Sequence, residues 1–127
     1  MPLIKGQSYE WDQILAETNS VSGPVFYLLH RRGTDLITAA SIDIAKNPRA
    51  PYEVWAGDGE QISRWGDILD AQTEPFEMFV RETDSLHYYR GRFRKKHSSN
   101  NQHEIALRLA QVPRGPIYKI LFLEEVS

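Results

Sequence analysis

"PFEMFVRETDSLHYYRGRFRKKH", residues 75–97, decides how the chain is built. Two apolar and aromatic runs flank the polar turn "TDS", the pattern of two antiparallel strands joined by a short loop. Strand alternation then splits the second run into two faces. Tyr89, Gly91, Phe93 and Lys95 point one way, and Tyr88, Arg90, Arg92 and Arg94 point the other. The second set aligns three guanidinium groups beside a tyrosine, which suits phosphate contacts with stacking on a base. Gly91 leaves room for another backbone or a ligand. A structural alternative stands beside this one: charges on an edge strand protect it from aggregation.

The flanking sequence supplies the rest of the sheet. "SGPVFYLLHRRGTDLITAASID" has the form of a hairpin turning at "RRGTD", and "YEVWA" forms a short strand after the breaks at Pro48 and Pro51. "RGPIYKILFLEEV" is apolar enough for a central strand. Helices are expected in "SYEWDQILAETNS", with Ser8 as cap and Trp11, Ile14 and Leu15 on one face, and in "GDGEQISRWGDILDAQ", through Ile62, Trp65 and Leu69. "SSNNQHEIALRLAQV" fits either period, and its Ser and Asn residues favour a capped helix. The expectation is a single α+β domain over residues 1–127: five or six mostly antiparallel strands and two or three flanking helices. A sheet of that size, strongly curved, tends toward a partly closed barrel.

Composition bounds the function. The chain of 127 residues suits one domain and lacks cysteine, which excludes disulfides and thiolate metal sites. It contains no apolar run of membrane-spanning length and no basic-then-apolar leader, so a cytoplasmic protein without membrane contact is expected. Its net charge of −2 argues against indiscriminate polyanion binding. The charges are nonetheless segregated. Arg81, Arg90, Arg92, Arg94, Lys95 and Lys96 cluster, whereas Glu53 to Glu77 holds seven carboxylates and only Arg64.

Catalytic patterns are weak. "WAGDGE", residues 55–60, lacks the third glycine of a dinucleotide fingerprint and the lysine of a phosphate loop. Asp58 and Glu60 would repel a phosphate there, and fit better as carboxylates at a helix start. His30, His87, His97 and His103 have no metal-ligand spacing, and no nucleophile elbow occurs. Neither an enzyme nor a cofactor is expected. Trp65 suits the core, and Trp55, at a strand end before the glycine turn, suits the core or a pocket wall.

Taken in order, "KGQSYEWDQI", "NPRAP", "EVWAGDGEQISRWGDILDAQ", "PFEMFVR", "YYRGRF" and "ILFLEE" resemble a PUA-like domain of the SRA and EVE kind. Such domains precede HNH nuclease or helicase modules in restriction and defence proteins. The resemblance implies a curved barrel that reads DNA, a modified base included, in partnership with a nuclease or helicase. It implies that Asn47 and Pro48 hold the loop before the pocket strand, that Gly57 and Gly59 shape the turn, and that Trp55, Asp58 and Tyr89 line the pocket. Arg81, Tyr88, Arg90, Arg92, Arg94, Lys95 and Lys96 would then contact nucleic acid. His87 stands where a tryptophan is expected, and residues 1–127 contain no nuclease module. The alternative function is a protein-interaction or regulatory domain, monomer or homodimer, using the acidic helix face and the basic strand.

Overall fold

Apolar residues at period two dominate the chain, and eight strands form one sheet, as seen in a computed structural model that describes residues 3–23, 25 and 27–126. In chain order the elements are β1 (Ser8–Tyr9), α1 (Trp11–Glu17), β2 (Val21–Ser22), β3 (Leu28–His30), β4 (Ile37–Asp43) and β5 (Glu53–Gly57). They continue with α2 (Glu60–Ala71), β6 (Phe76–Arg81), β7 (His87–Ser99), α3 (Gln102–Leu109) and β8 (Ile117–Glu125). The strand order is β2-β3-β4-β6-β7-β8-β5, with β1 pairing the start of β7. All pairings are antiparallel except β4 with β6.

The mixed α+β class, the β3–β4 and β6–β7 hairpins, the interior β8 and the three helices agree with the sequence. Two points differ. The strands number eight rather than five or six, because β1 and β2 are two residues each. The sheet is also open: β2 and β5 are its ends and do not pair with each other. Part of the run expected to lead into β3, at Pro24 and Phe26, lies outside the described residues.

Core packing places helices on both faces of the sheet. Leu28, Ile37, Ile42, Val54, Phe76, Met78, Phe93 and Leu121, drawn from β3 to β8, bury one face of the sheet against Trp65 and Leu69 of α2. On the other face Ile14 of α1 packs with Tyr9, Leu29, Phe79 and Tyr89, while Ile105 of α3 packs with Trp55, Ile117 and Ile120. Burying a side chain of this size contributes about 1.5–3 kcal/mol.

Local chemistry fixes the helix ends. Ser8 does not cap α1, since it pairs with Tyr88 in β1; Glu10 and Gln13 form a capping box instead. At α3 the Asn101 side chain accepts from the Glu104 amide at 3.0 Å. Gly59 begins α2 at φ 151°, with no side-chain cap. Buried Gln72, just past α2, accepts from the Ile37 amide at 2.8 Å and donates to the Ile37 carbonyl at 2.9 Å. A side-chain amide thereby imitates a neighbouring strand at the head of β4.

Candidate functional site

Alternation on β7 holds only in part. Tyr89, Gly91 and Phe93 are buried and Arg92 and Arg94 exposed, but Tyr89 packs in the α1 cluster and Phe93 in the α2 cluster on the opposite face. The single face of Tyr88, Arg90, Arg92 and Arg94 expected from the sequence therefore does not form. In strand order β7 lies between β6 and β8, but β6 pairs its His87–Phe93 half and β8 its Phe93–Ser99 half, so Arg92 and Arg94 each have a register partner on one side only. The pairing slips at Arg90, between Tyr89↔Phe79 and Gly91↔Met78, and again at Lys96, between Lys95↔Leu123 and His97↔Phe122. Each slip is a bulge that bends the strand. Gly91 supplies the φ of 110° that the first one needs.

The cations of this strand are mostly matched within the chain. Arg92 Nε donates to Glu77 Oε1 at 3.1 Å, Arg94 Nε to Glu124 Oε2 at 2.8 Å, and Lys95 Nζ lies 3.4 Å from Asp70. Arg81 Nη2 donates to Asp43 at 3.0 Å. Arg90 and Lys96, the two bulge residues, have no carboxylate partner among the described residues. Much of the acidic window is spent on these pairs and on Lys119, which holds both Asp67 and Asp70 at 2.8 Å. Tyr88 donates its hydroxyl to Asp84 at 2.7 Å, and this bond raises its pKa.

A second feature lies at one end of the sheet. Parallel pairing sets Asp43, the last residue of β4, opposite Arg81, the last of β6. A cavity of about 780 Å³ opens there, within the range of small-molecule sites. Its walls are mainly apolar and aromatic, from Trp11, Val25, Tyr27, Val54, Trp55 and Ile62. Its polar groups are Ser41, Asp43, Lys46, Asn47, Arg81, His87 and Arg114. Three permanent cations face one carboxylate, so the cavity favours anions.

Several of these groups are fixed by specific bonds. The Asn47 side chain accepts from the Trp55 amide at 2.8 Å and tethers the 44–52 loop to β5. His87 Nδ1 pairs with Ser41 Oγ at 2.5 Å, and its ring tilts against Trp11 with centroids 5.3 Å apart. Burial, aided by the nearby Arg81 charge, lowers the His87 pKa, so the ring is neutral at pH 7. Arg114 Nη1 donates to the Lys46 carbonyl at 2.9 Å and more weakly to Asn47 Oδ1 at 3.4 Å. Its guanidinium has no carboxylate partner among the described residues, and burial lowers its pKa. The Tyr27 hydroxyl is shielded from solvent with no hydrogen-bond partner among the described residues. Burial pushes its pKa up to about 12 against a smaller pull from Arg114, so it stays a neutral donor.

Of the residues implied as a pocket, Asn47, Trp55 and Gly57 line this cavity, and Arg81 joins them. Trp55 is only 2 % exposed and donates its indole N–H to Glu53 at 3.0 Å, so it is a core residue that borders the cavity. Gly57 is small because a Cβ there would come within 2.9 Å of Ile62. Asp58, Gly59 and Tyr89 are not among the lining residues. Asp58 and Gly59 are exposed at the start of α2, where Asp58 accepts from Ser63 at 3.2 Å. Tyr89 is buried against Phe79 and donates to Glu77. Nothing local to Tyr27, Ser41 or Lys46 marks them in the sequence. Arg114 is marked, since it sits in the constrained loop "PRGP".

Among the described residues no helix is long and apolar enough to cross a membrane, and no group of three His, Asp or Glu side chains could hold a metal ion. Comparison with family models, with curated proteins and with solved structures finds no match.

Proposed function

We propose that the chain is a non-enzymatic nucleic-acid-binding module that recognises DNA and draws a base, a modified one included, into the cavity. The observation that carries this reading is the aromatic-lined cavity, with Lys46, Arg81 and Arg114 against the single carboxylate of Asp43. Extruding a base costs a few kcal/mol, which stacking and hydrogen bonds to the base edge must offset. Trp11, Tyr27 and His87 offer the rings, and Arg114, Asn47 and the Tyr27 hydroxyl offer polar contacts. Arg90 and Lys96, unpaired on β7, would add backbone contacts that weaken with salt. In this proposal the open, bent sheet serves as a PUA-like, partly closed barrel, and a nuclease or helicase acts beside it in the cytoplasm during restriction or defence.

Fluorescence anisotropy on plain and modified duplexes, across a salt series, tests the proposal. Binding that weakens with salt and is lost in a Lys46→Glu, Arg114→Glu double variant is expected. No binding to any duplex at low salt would sink the idea.

One observation favours a second reading, a protein-interaction domain. Because Arg92 and Arg94 hold carboxylates of their own chain, the face of β7 that carries them is mixed in charge rather than basic. Such a face suits a protein partner or a second copy. Light scattering decides on self-association: a monomer at every concentration tested removes the homodimer.

A further inference from the structure

The cavity holds more hydrogen-bond donors than the protein itself uses. The Tyr27 hydroxyl is buried and has no partner among the described residues, although a hydroxyl in that position normally finds an acceptor. Arg114 reaches only neutral oxygens, the carbonyls of Lys46 and Gly115 and Oδ1 of Asn47, which leaves its positive charge uncompensated. The two groups are close enough for each to bias the other's ionisation. Around them the lining is apolar, from Val25, Val54 and Ile62, with the Trp11 and His87 rings farther along the wall.

We propose that the cavity takes a flat aromatic or heteroaromatic ring bearing a carboxylate, with Arg114 and the Tyr27 hydroxyl receiving the carboxylate oxygens. Resting on the cavity being the ligand site, this adds the charge and shape of the ligand. A planar guanidinium matches a carboxylate in a two-bond fork, and the tyrosine hydroxyl supplies one more donor. Those donors suit one monoanion. The ring itself is accommodated by the aliphatic and aromatic lining, as in other small-ligand sites.

The carboxylated ring has two sources: a free aromatic acid, or a base within a strand. Calorimetric titration of the intact chain separates them. One arm compares orotate with its neutral amide. The other compares an oligonucleotide carrying a single 5-carboxycytosine with the same oligonucleotide carrying cytosine. A preference for the acid of about tenfold or more is expected, the usual worth of a charge-assisted hydrogen bond. That preference should vanish in Arg114→Gln and shrink at least threefold in Tyr27→Phe. Preference in the first arm identifies a free acid, and preference in the second alone identifies a base in a strand.

Equal binding of acid and neutral partner in both arms overturns the proposal, as does a preference that survives both substitutions. Tyr27→Phe keeps the test decisive if Arg114→Gln fails to fold, because it removes a hydroxyl that makes no bond to the described residues. Plain oligonucleotide binding with no acid preference would defeat this inference and leave the nucleic-acid reading intact.

Discussion

Arg92 and Glu77 face each other directly across the β6–β7 pair, with Nε 3.1 Å from Oε1. The pair joins the basic strand to the acidic segment of the sequence, and Arg94 with Glu124 repeats the arrangement across β7 and β8. Opposed charges on neighbouring strands stabilise the pairing by less than about 1 kcal/mol when exposed. Their larger effect is on surface potential, because each carboxylate cancels a cation that a phosphate would otherwise meet.

A Glu77→Gln, Glu124→Gln double variant should therefore bind DNA more tightly than the parent chain, with a steeper dependence on salt. Arg90→Gln with Lys96→Gln should weaken binding more than Arg92→Gln with Arg94→Gln, since only the first pair is unpartnered. Anisotropy titrations at two or more salt concentrations read both effects. Equal losses from the two arginine-containing pairs would show that the internal ion pairs do not limit the strand.

Gly91 is the residue of β7 least open to change. Its φ of 110° is unfavourable to any L side chain, and a Cβ would lie 2.9 Å from Glu125 Oε2. Gly91→Ala should cost about 1–3 kcal/mol, measured as a shift in the urea midpoint at constant slope. Gly115→Ala is the control: nothing lies within 4 Å of its Cβ position, and a change within about 0.5 kcal/mol is expected.

Gln72 carries a stability role out of proportion to its polarity. Replacing it with Leu leaves the buried Ile37 amide without its acceptor, and removes the donors to the carbonyls of Ile37 and Glu74. A loss of about 2–4 kcal/mol is expected by denaturant unfolding. Gln72→Glu should fall between Leu and the parent, because a carboxylate keeps the acceptor and loses the amide donor.

What the sequence disclosed depended on whether a feature was local. β6, β8 and α2 have clean periodicity and their type could be read from it; β7 could be read as a strand, but not its bulges at Arg90 and Lys96 or its continuation to Ser99. The two-residue strands β1 and β2 have no periodicity to read. The interior place of β7 is a matter of strand order, which long-range pairing sets, and no residue within "YYRGRFRKK" announces it. The pairing of Arg92 with Glu77 was implicit only in the opposite charges of two adjacent runs. The cavity was harder still. Tyr27, Asn47, His87 and Arg114 come from four separate segments, and each becomes notable only through a missing or unusual partner.

His87 gives the chain a pH signature. Its pKa in the folded protein is lowered from 6.5, first by burial and then by Arg81. The folded state thus resists a proton that the unfolded chain accepts. Above about pH 7 both states are neutral at this residue and stability is unaffected by it. As pH falls through 6.5 the unfolded chain gains the proton first, and stability declines until the folded pKa is passed. Glu53 and Asp70 act in a lower window: their pKa values are depressed from 4.5 and 3.8, so their contribution is lost only as pH falls below those values. Urea unfolding between about pH 5 and about pH 8 isolates the histidine. The parent chain should lose stability toward pH 5, whereas His87→Gln should show a flatter profile over the same range. Parallel profiles for the two proteins would remove His87 as the source, and with it the neutral ring assigned to the cavity wall.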